Sequence, residues 1–583
     1  MGGFLSHLTP EPSSDILNAS CGPIFGNIYR HDDKIVDGYL GIPYAQPPIG
    51  PLRFKKSLPA IKWSEPKDCT KYGPSCPQSG AFAMIMDPLP CIYNEDNCLN
   101  LNVFAPRWTS DEFPSGLPVM VYIHGGGFEL GTSDSLEDYS LTGTLPLHDI
   151  IVVTINYRLG PLGFLTTGDD ICNGNMGLWD QTLALQWVHN HIKSFGGDPD
   201  NVTIAGTSAG GASVDLLSLS PHSNGLFKNH MPMSGTALCD FAIRTKDEQA
   251  KLCEEFAKYH GYTGTDSQQL LDWYNSVPVD LFRKQDGFQR SASGFLSFVP
   301  NFDGDFFPKP LEELRKLAPR MGVMIGVGEH EGLGFGAQYQ KDTVVETMKT
   351  ALDNLLKDDI ITDKEKVHKL LIDEYTRGIE LSDKKSTDLR FVNLLSDLNF
   401  NHGALQSANS AAKYGDDVYL YSFDFYNKTR YGNTTDYQFP FEAASHGTDL
   451  GYIFGQGIVS KFEPDETDMK MIEKMGIYVS NFCKYGNPNG KDKGKWEKYN
   501  MDGRYYQINM PECQMKDGFQ NVRLELLDEI LRKPDLLGRS CNPSLIFREG
   551  SNSKKLYINT GLNLFESIMD TAGNAAGGIM AGR

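Results

Sequence analysis

Short runs of apolar residues alternate along the chain with longer segments in which apolar positions recur at helical spacing. The segment 180–192 shows this spacing, and its apolar face comprises Ala184, Trp187, Val188 and Ile192. The runs typical of strands cover residues 118–127, 149–158, 201–206, 321–328 and 417–425. Because strands that alternate with helices form parallel sheets buried on both faces, the pattern predicts an α/β protein with a large, mostly parallel central sheet covered by helices.

The chain has no internal repeat and no long linker, so we expect one domain over residues 20–545. Residues 1–19 precede this domain as an N-terminal segment. From residue 546 the sequence becomes polar and then rich in glycine and alanine. We therefore expect residues 546–583 to form a tail outside the core.

The overall charge excludes one class of partner. The 583 residues carry a formal net charge of −20, whereas binding to nucleic acid requires clustered lysine and arginine. No apolar window of about 18 residues suggests a transmembrane segment. The sequence contains no Cys-x-x-Cys pair, so we expect no zinc site, and nothing in it indicates another metal or a cofactor.

The first residues, MGGFLS, match a lipidation pattern. N-myristoylation requires glycine after the initiator methionine and a serine or threonine further along, and Gly2 and Ser6 meet this requirement. The segment lacks the basic start and the apolar run of a secretory signal. The sequence therefore predicts a cytoplasmic protein that attaches reversibly to membranes through a myristoyl group on Gly2. An unmodified N-terminus and a secreted protein are the alternatives.

The stretch IAGTSAGGAS, residues 204–213, places Ser208 between Gly206 and Gly210. A Gly-x-Ser-x-Gly sequence between a strand and a helix is typical of a nucleophile elbow, a tight turn in which a Cβ on the flanking residues would clash. The serine then stands at the N-terminus of the following helix, whose dipole favours negative charge. Ser208 is thus a candidate nucleophile, and a tight turn with an incidental serine is the alternative.

A second glycine-rich stretch, HGGGF at residues 124–128, follows the predicted strand upstream of Ser208. Consecutive glycines allow backbone N–H groups to point at the oxyanion that forms when a serine attacks a carbonyl. The expected donors are the N–H groups of Gly126, Gly127 and Ala209. A flexible hairpin is the alternative, but the two motifs in this order are more specific than either one alone.

A serine nucleophile also needs a base, and an acid that orients the base. In enzymes with a nucleophile elbow, the acid and then the histidine follow the serine along the chain. His446, in the loop sequence AASHGTDLG, is the expected base, because His368 and His402 fall in predicted helices. The acid is either Glu329 or Glu331, since both directly follow a predicted strand and their spacing does not separate them.

These motifs resemble those of the type-B carboxylesterase/cholinesterase family of α/β-hydrolases. Further stretches that match are GYLGIPYAQPPIGPLRF (38–54), NEDNCLNLNVFAP (94–106), NYRLGPLGFL (156–165), FVPNFDGDFFP (298–308) and NFCKYGNPN (481–489). The resemblance implies an α/β-hydrolase fold and the hydrolysis of carboxylic esters without a cofactor. It also selects Glu331 over Glu329 as the acid and supports His446 as the base.

The same resemblance implies roles for residues around this triad. The reaction would pass through an acyl-enzyme on Ser208. Ser234 and Asp449 would lie close to the acid and the base. Two ion pairs, Arg53–Glu95 and Arg158–Asp180, would support the fold.

Several positions depart from the family pattern where substrates bind. Thr207 stands where glutamate is common, Gly334 stands where an aromatic residue is common, and residues 77–97 lack the tryptophan that binds quaternary ammonium in cholinesterases. The predicted pocket residues are Thr207, Phe241, Gly294, Leu296 and Gly334. These departures favour the carboxylesterase branch and small to medium neutral esters. A lipase acting on glycerol or other lipid esters and a catalytically inactive adhesion or binding protein are the alternatives.

The cysteines bear on the cellular compartment. By the resemblance, Cys76 and Cys98 would form a disulfide if the protein is secreted, and Cys239 would be a buried free thiol. In the reducing cytosol such disulfides are rare. The glycosylation sequon at Asn201 precedes the strand that leads to Ser208, so we expect Asn201 to be too buried for modification.

Overall fold

We describe the fold from a computed structural model of the chain. The structure describes residues 10–78, 93–283, 288, 296–336, 339–356, 363–427, 439–455, 462, 464–492, 494–520 and 522–532. Gly2, Gly294 and the tail 546–583, all singled out above, lie outside the described residues.

Within the described residues, twelve strands form one large sheet and three form a small second sheet. In chain order they are β1 (Glu11–Pro12), β2 (Leu17–Ala19), β3 (Gly22–Phe25), β4 (Asn27–His31), β5 (Lys34–Pro43), β6 (Lys67–Asp68), β7 (Asn100–Pro106), β8 (Leu117–Ile123), β9 (Ile151–Ile155), β10 (Gly197–Thr207), β11 (Asn229–Met233), β12 (Gly322–Gly328), β13 (Asp417–Phe423), β14 (Tyr505–Ile508) and β15 (Gln514–Lys516). The order across the large sheet is β1-β4-β5-β7-β9-β8-β10-β11-β12-β13-β14-β15, and β2-β3-β6 form the small sheet. The strands from β9 to β14 in this order run parallel, and the antiparallel pairs of the large sheet lie toward its two edges.

The helices follow the strands along the chain. They are α1 (Asp138–Thr142), α2 (Gly160–Phe164), α3 (Met176–His191), α4 (Ala209–Leu219), α5 (Lys246–Tyr259), α6 (Ser267–Ser276), α7 (Leu311–Leu317), α8 (Val344–Leu355), α9 (Lys364–Tyr375), α10 (Lys384–Ser396), α11 (His402–Lys413), α12 (Thr448–Phe454), α13 (Glu466–Tyr485) and α14 (Val522–Arg532). A wider π-helical turn, Asp397–Asn401, joins α10 to α11.

Side chains along β8 alternate between two hydrophobic cores, one on each face of the sheet. Val121 and Ile123 belong to the core that includes Leu216 of α4. Met120 and Tyr122 belong to the core that includes residues of α13. Both faces of the sheet are therefore covered by helices, and the predicted α/β fold with a large, mostly parallel sheet is confirmed.

The parallel strands bring the candidate motifs to one edge of the sheet. Ile123 at the end of β8 lies opposite Gly206 of β10, and Thr207 at the end of β10 lies opposite Met233 of β11. The turns that follow these strands therefore meet at their carboxyl ends. Open parallel sheets place their binding sites at this edge.

The fold begins earlier in the chain than the boundary expected at residue 20. Glu11–Pro12 pairs with β4 of the large sheet, and Leu17–Ala19 pairs with β3 of the small sheet. Strands of two or three residues are too short to show a period of alternating hydrophobic and polar positions. For this reason the hydrophobic pattern did not reveal them.

A disulfide joins Cys76 to Cys98, whose Cα atoms lie 4.7 Å apart. Cys239 is a buried free thiol, as the resemblance implied. Asn201 lies within β10 and is 9% exposed, which agrees with the expectation that it is buried. None of the described helices is long and apolar enough to cross a membrane.

Both expected ion pairs are present. Arg53 Nη2 lies 2.7 Å from Glu95 Oε2, and Arg158 Nε lies 2.7 Å from Asp180 Oδ2. The second pair is fully enclosed, since Arg158 is 1% exposed and Asp180 is 0% exposed. Removal of either partner of such a pair leaves a buried charge without compensation, which costs about 3–5 kcal/mol.

Candidate active site

Ser208 occupies the turn between β10, which ends at Thr207, and α4, which begins at Ala209. Its backbone has φ 60° and ψ −124°, a strained conformation that residues with a side chain rarely adopt. Its N–H donates a 2.9 Å hydrogen bond to the carbonyl of Met233. The turn therefore has the geometry predicted for a nucleophile elbow, with the serine at the N-terminus of a helix.

The glycines on either side of Ser208 leave no room for a side chain. A Cβ on Gly206 would lie 2.5 Å from the carbonyl oxygen of Gly210, and a Cβ on Gly210 would lie 2.1 Å from the carbonyl oxygen of Ile123. Both distances fall below the 3.0 Å that real Cβ atoms essentially never cross. The turn is tight because β8 and α4 approach it closely, and only glycine fits at these two positions.

The HGGGF loop lies directly against the elbow. A Cβ on Gly125 would lie 3.1 Å from the Cβ of Ser208. Gly126 and Gly127 adopt positive φ angles of 103° and 62°, a conformation that glycine adopts without penalty. Ala209 is the first residue of α4, so its N–H has no acceptor within the helix. The three predicted oxyanion donors thus lie on the two turns that meet at Ser208.

His124 supports this loop rather than supplying an acid or a base. Its ring stacks on Tyr157, with centroids 4.5 Å apart, and its Nδ1–H donates a 2.9 Å hydrogen bond to the carbonyl of Gly125. Burial lowers the pKa of His124 to about 4. The imidazole is therefore neutral at neutral pH and holds the start of the loop in place.

Glu331 is the carboxylate that contacts the candidate base. It is 0% exposed, and its Oε2 lies 2.6 Å from Nδ1 of His446. Its other oxygen, Oε1, accepts hydrogen bonds from the N–H of Gly328 at 2.5 Å and from the hydroxyl of Ser234 at 2.6 Å. Glu329, by contrast, has a side chain 44% exposed and lies beside His330. Ser234 thus lies next to Glu331.

His446 lies in a loop that crosses the segment carrying Glu331. The N–H of His330 donates to the carbonyl of Ala444 at 3.0 Å, and the N–H of Ser445 donates to the hydroxyl of Thr448 at 2.9 Å. In the described part of the chain, no hydrogen bond joins His446 to Ser208. Catalytic hydrogen bonds commonly tighten only when substrate binds.

Two aromatic rings pack against the imidazole of His446. The ring centroid of Phe400 lies 4.6 Å from that of His446, and the centroid of Phe335 lies 5.2 Å away.

The other two candidate histidines lie elsewhere. His368 is part of α9 beside Asp353, and His402 begins α11 beside Asp528.

A second buried carboxylate, Asp449, lies on α12 close to Glu331 and His446. Burial raises its pKa to about 6, and the negative charge of Glu331 contributes to the increase. The hydroxyl of Tyr421 donates a 2.9 Å hydrogen bond to its Oδ2, which opposes this increase. Asp449 is therefore close to both Glu331 and His446.

The predicted pocket residues differ in what surrounds them. Thr207 is buried beside the side chain of Tyr122. Phe241 is buried with its ring centroid 5.7 Å from that of Phe400. Leu296 is buried, and its carbonyl accepts a hydrogen bond from Arg244. The space beside Gly334 is open, because a Cβ there would meet no described atom nearer than 3.9 Å.

Glu129 is a structural link that the sequence did not reveal. It directly follows the HGGGF loop and is 2% exposed. Its Oε1 accepts hydrogen bonds from the N–H groups of Ser297 at 3.0 Å and Phe298 at 3.2 Å. It thus connects the HGGGF loop to the segment that begins at Leu296. An acidic residue directly after a glycine-rich loop is the signal that could have identified it.

The site can perform acid–base and nucleophilic chemistry with its own side chains. A hydroxyl in a strained turn, an imidazole held by a buried carboxylate, and backbone N–H groups near the hydroxyl are the components of a serine hydrolase. Among the residues that the structure describes, no group of three or more histidine, cysteine or acidic side chains could hold a metal ion.

Comparison with known proteins agrees with this chemistry. Residues 13–527 match the carboxylesterase family. The chain is 51% identical over 535 residues to Esterase cest-33 of Caenorhabditis elegans, an alignment that covers 91% of this chain and 96% of the relative. It is 33% identical over 516 residues to Pyrethroid hydrolase Ces2e of Rattus norvegicus, covering 86% of this chain and 87% of the relative. It is also 33% identical over 522 residues to Cocaine esterase of Oryctolagus cuniculus, covering 86% of this chain and 93% of the relative.

Proposed function

Because the chain belongs to the carboxylesterase family and hydrolyses carboxylic esters, we propose that Ser208, His446 and Glu331 are the residues that perform the hydrolysis. The observation that carries this proposal is the 2.6 Å contact between Nδ1 of His446 and the buried carboxylate of Glu331. A carboxylate at Nδ1 fixes the tautomer in which Nε2 is free to accept a proton. Glu331 alone fixes this tautomer, so no other buried carboxylate is needed to orient the imidazole.

The first step transfers the acyl group to the enzyme. The oxygen of Ser208 attacks the ester carbonyl carbon while Nε2 of His446 accepts the hydroxyl proton. The carbonyl oxygen becomes an oxyanion, which the N–H groups of Gly126, Gly127 and Ala209 stabilise. The bond between the carbonyl carbon and the alkoxy oxygen then breaks, and the alcohol leaves with the proton from Nε2.

The second step releases the acid. His446 removes a proton from a water molecule, whose oxygen attacks the acyl carbon. The bond to Ser208 breaks, and the serine oxygen regains the proton from Nε2. Glu331 keeps its negative charge throughout and stabilises the imidazolium that forms in each step.

The pocket supports small to medium neutral esters as substrates. Thr207 contributes no charge next to the nucleophile, and the open space beside Gly334 leaves room for a larger group than an aromatic side chain would. Two relatives are named for the hydrolysis of pyrethroids and of cocaine. Both names describe hydrolases, in agreement with the proposed reaction.

A comparison of esters tests the substrate class. We expect kcat/KM to be higher for phenyl acetate and p-nitrophenyl butyrate than for acetylcholine. A higher kcat/KM for acetylcholine would contradict the assignment. A series of glycerol esters of increasing chain length tests the lipase alternative, which predicts rates that rise toward long chains.

We also propose that Gly2 is myristoylated and that the enzyme acts on the cytoplasmic side of membranes. The support is the MGGFLS pattern. A single myristoyl chain gives an association constant on the order of 10⁴ M⁻¹, so attachment would be reversible. The Cys76–Cys98 disulfide favours secretion instead, because disulfides are typical of oxidising compartments. Mass spectrometry of the native N-terminal peptide distinguishes the two, since only the cytoplasmic form carries myristate on Gly2.

A further inference from the structure

The π-helical turn between α10 and α11 places one residue against the candidate base. The turn spans Asp397–Asn401 and contains Phe400, which is 1% exposed. The ring of Phe400 lies 4.6 Å from that of His446 at an interplanar angle of 37°. Insertions of this kind into a helix are rare and occur frequently at functional sites. Phe335 approaches the same imidazole at 5.2 Å and 67°.

The first residue of the turn is anchored from a distant part of the chain. Asp397 is 0% exposed, and its carboxylate accepts hydrogen bonds from three side chains. The donors are the hydroxyl of Tyr375 at 2.7 Å, Nε of Arg523 at 2.7 Å and Nδ2 of Asn401 at 2.8 Å. Because Arg523 belongs to α14, the last described helix ties the turn that carries Phe400 to the body of the fold.

A single hydrogen bond does not fix the orientation of an imidazole. Glu331 holds Nδ1 of His446, but the ring can pivot about that contact, and the direction of Nε2 would change with it. A ring packed against the imidazole limits this motion, since close packing leaves few voids into which a side chain can turn. A misplacement of about 1 Å at a catalytic group can reduce the rate by about 100-fold.

Given the proposed role of His446 as the base, we propose that Phe400 is a positioning residue that holds the imidazole plane so that Nε2 faces Ser208, and that the Asp397–Arg523 pair holds Phe400 in place. The carbonyl of Phe400 adds a further tie, because it accepts a 3.7 Å hydrogen bond from the thiol of Cys239. The contacts that position His446 thus reach from Glu331 to α14.

The first test is Phe400→Leu, which removes the flat ring but keeps an apolar side chain. Rates are normalised to active sites titrated with a fluorophosphonate, so that misfolded protein does not count. We expect kcat on p-nitrophenyl butyrate to fall by about 10- to 100-fold with KM changed less than about threefold. Phe400→Tyr, which keeps the ring, should recover most of kcat. The matched control is Phe482→Leu, a fully buried phenylalanine of α13 that lies in the other core.

The second test addresses the anchor. Arg523→Gln should lower kcat, as Phe400→Leu does, and Arg523→Lys should lower it less. In the Phe400→Leu background, Arg523→Gln should have little further effect, because residues that act through one another are not additive. Arg504→Gln, which removes an exposed arginine that pairs with Glu497 and Asp517, is the control.

The outcomes separate this inference from the proposed function. If His446→Ala retains wild-type kcat, the triad assignment fails and this inference fails with it. If His446→Ala is inactive but Phe400→Leu has the same kcat as Phe482→Leu, only the positioning role is overturned. Full additivity of Phe400→Leu and Arg523→Gln, or a Phe400→Tyr variant no faster than Phe400→Leu, would also overturn it.

Discussion

Oε2 of Glu331 lies 2.6 Å from Nδ1 of His446, whereas Glu329, two residues earlier, has its side chain 44% exposed beside His330. The strand β12 ends at Gly328, and its backbone N–H donates to Oε1 of Glu331. The carboxylate is therefore fixed by hydrogen bonds on one oxygen while the other faces the histidine. Of the two glutamates, only Glu331 is hydrogen-bonded to His446 among the described residues.

Glu331→Gln should reduce kcat/KM by about 10⁴-fold, because an amide in this position favours the wrong imidazole tautomer. Glu329→Gln should leave kcat/KM nearly unchanged, and it serves as the matched control. The comparison requires steady-state kinetics of both variants with one neutral ester. Equal losses, or a larger loss in Glu329→Gln, would mean that the acid has been assigned to the wrong residue.

Gly210→Ala should destabilise the protein and disrupt the elbow. The added Cβ would lie 2.1 Å from the carbonyl oxygen of Ile123, which is backbone and cannot move away without displacing β8. We expect a loss of more than about 3 kcal/mol, at the upper end for overpacked cores. Gly334→Ala, whose Cβ has no neighbour nearer than 3.9 Å, should retain the wild-type Tm. Thermal denaturation of the two variants tests this ranking, and similar Tm values would refute it.

Gly334→Phe should narrow the pocket and change the order of preferred substrates. A Cβ at this position would meet no described atom nearer than 3.9 Å, so the substitution adds no backbone clash at its first side-chain atom. Steric exclusion in an apolar pocket changes the ratio of kcat/KM values for two substrates by about 10- to 200-fold. We expect the kcat/KM ratio of short-chain to longer-chain esters to rise within that range. An unchanged ratio across a chain-length series would place Gly334 outside the substrate pocket.

Asp449→Asn should change how stability depends on pH. The pKa of Asp449 is about 6 in the folded protein and about 3.9 in an unfolded chain. Between these values the unfolded chain releases a proton that the folded protein keeps, so rising pH lowers the stability of the wild type. The amide that replaces the carboxylate in the variant does not titrate, and its oxygen can still accept the hydrogen bond from Tyr421.

The stability of Asp449→Asn relative to wild type should therefore increase as pH rises from about 4 to about 6 and stay constant above that. Each pKa unit corresponds to about 1.4 kcal/mol, so the total change amounts to a few kcal/mol. Denaturant unfolding of both proteins at several pH values measures it. A stability difference that does not vary with pH would show that folding leaves the pKa of Asp449 unchanged.

The sequence predicted the features that depend on neighbouring residues. Gly206, Ser208 and Gly210, together with the apolar run before them and the helical pattern after them, suffice to predict the turn, although β8 supplies part of the close packing around it. The apolar runs likewise predicted β8, β10, β12 and β13, because strands buried on both faces are continuously apolar. The choice of Glu331 over Glu329 required the family resemblance, since the two positions are equivalent by spacing.

The remaining features depend on contacts between distant segments. Phe400 lies in a π-helical turn, and the sequence of α10 and α11 reads as ordinary helix on both sides of it. Two of the three partners of Asp397, Tyr375 and Arg523, lie on α9 and α14, and no local pattern connects these helices to the turn. The hydrogen bonds of Glu129 to Ser297 and Phe298 join segments far apart in the chain. Such contacts can be identified only in the folded structure, in which the strands bring the turns together.

Reaction with a fluorophosphonate, followed by peptide mass spectrometry and kinetics of Ser208→Ala, tests the nucleophile most directly. Alanine fits the turn but has no hydroxyl, so the variant should keep the wild-type Tm while kcat falls by about 10⁶-fold, as it does when a hydrolase loses its serine. The phosphonyl adduct should be found on the peptide containing Ser208 and should be absent from the variant. An adduct on another serine, or turnover by Ser208→Ala close to that of the wild type, would contradict the assignment of Ser208.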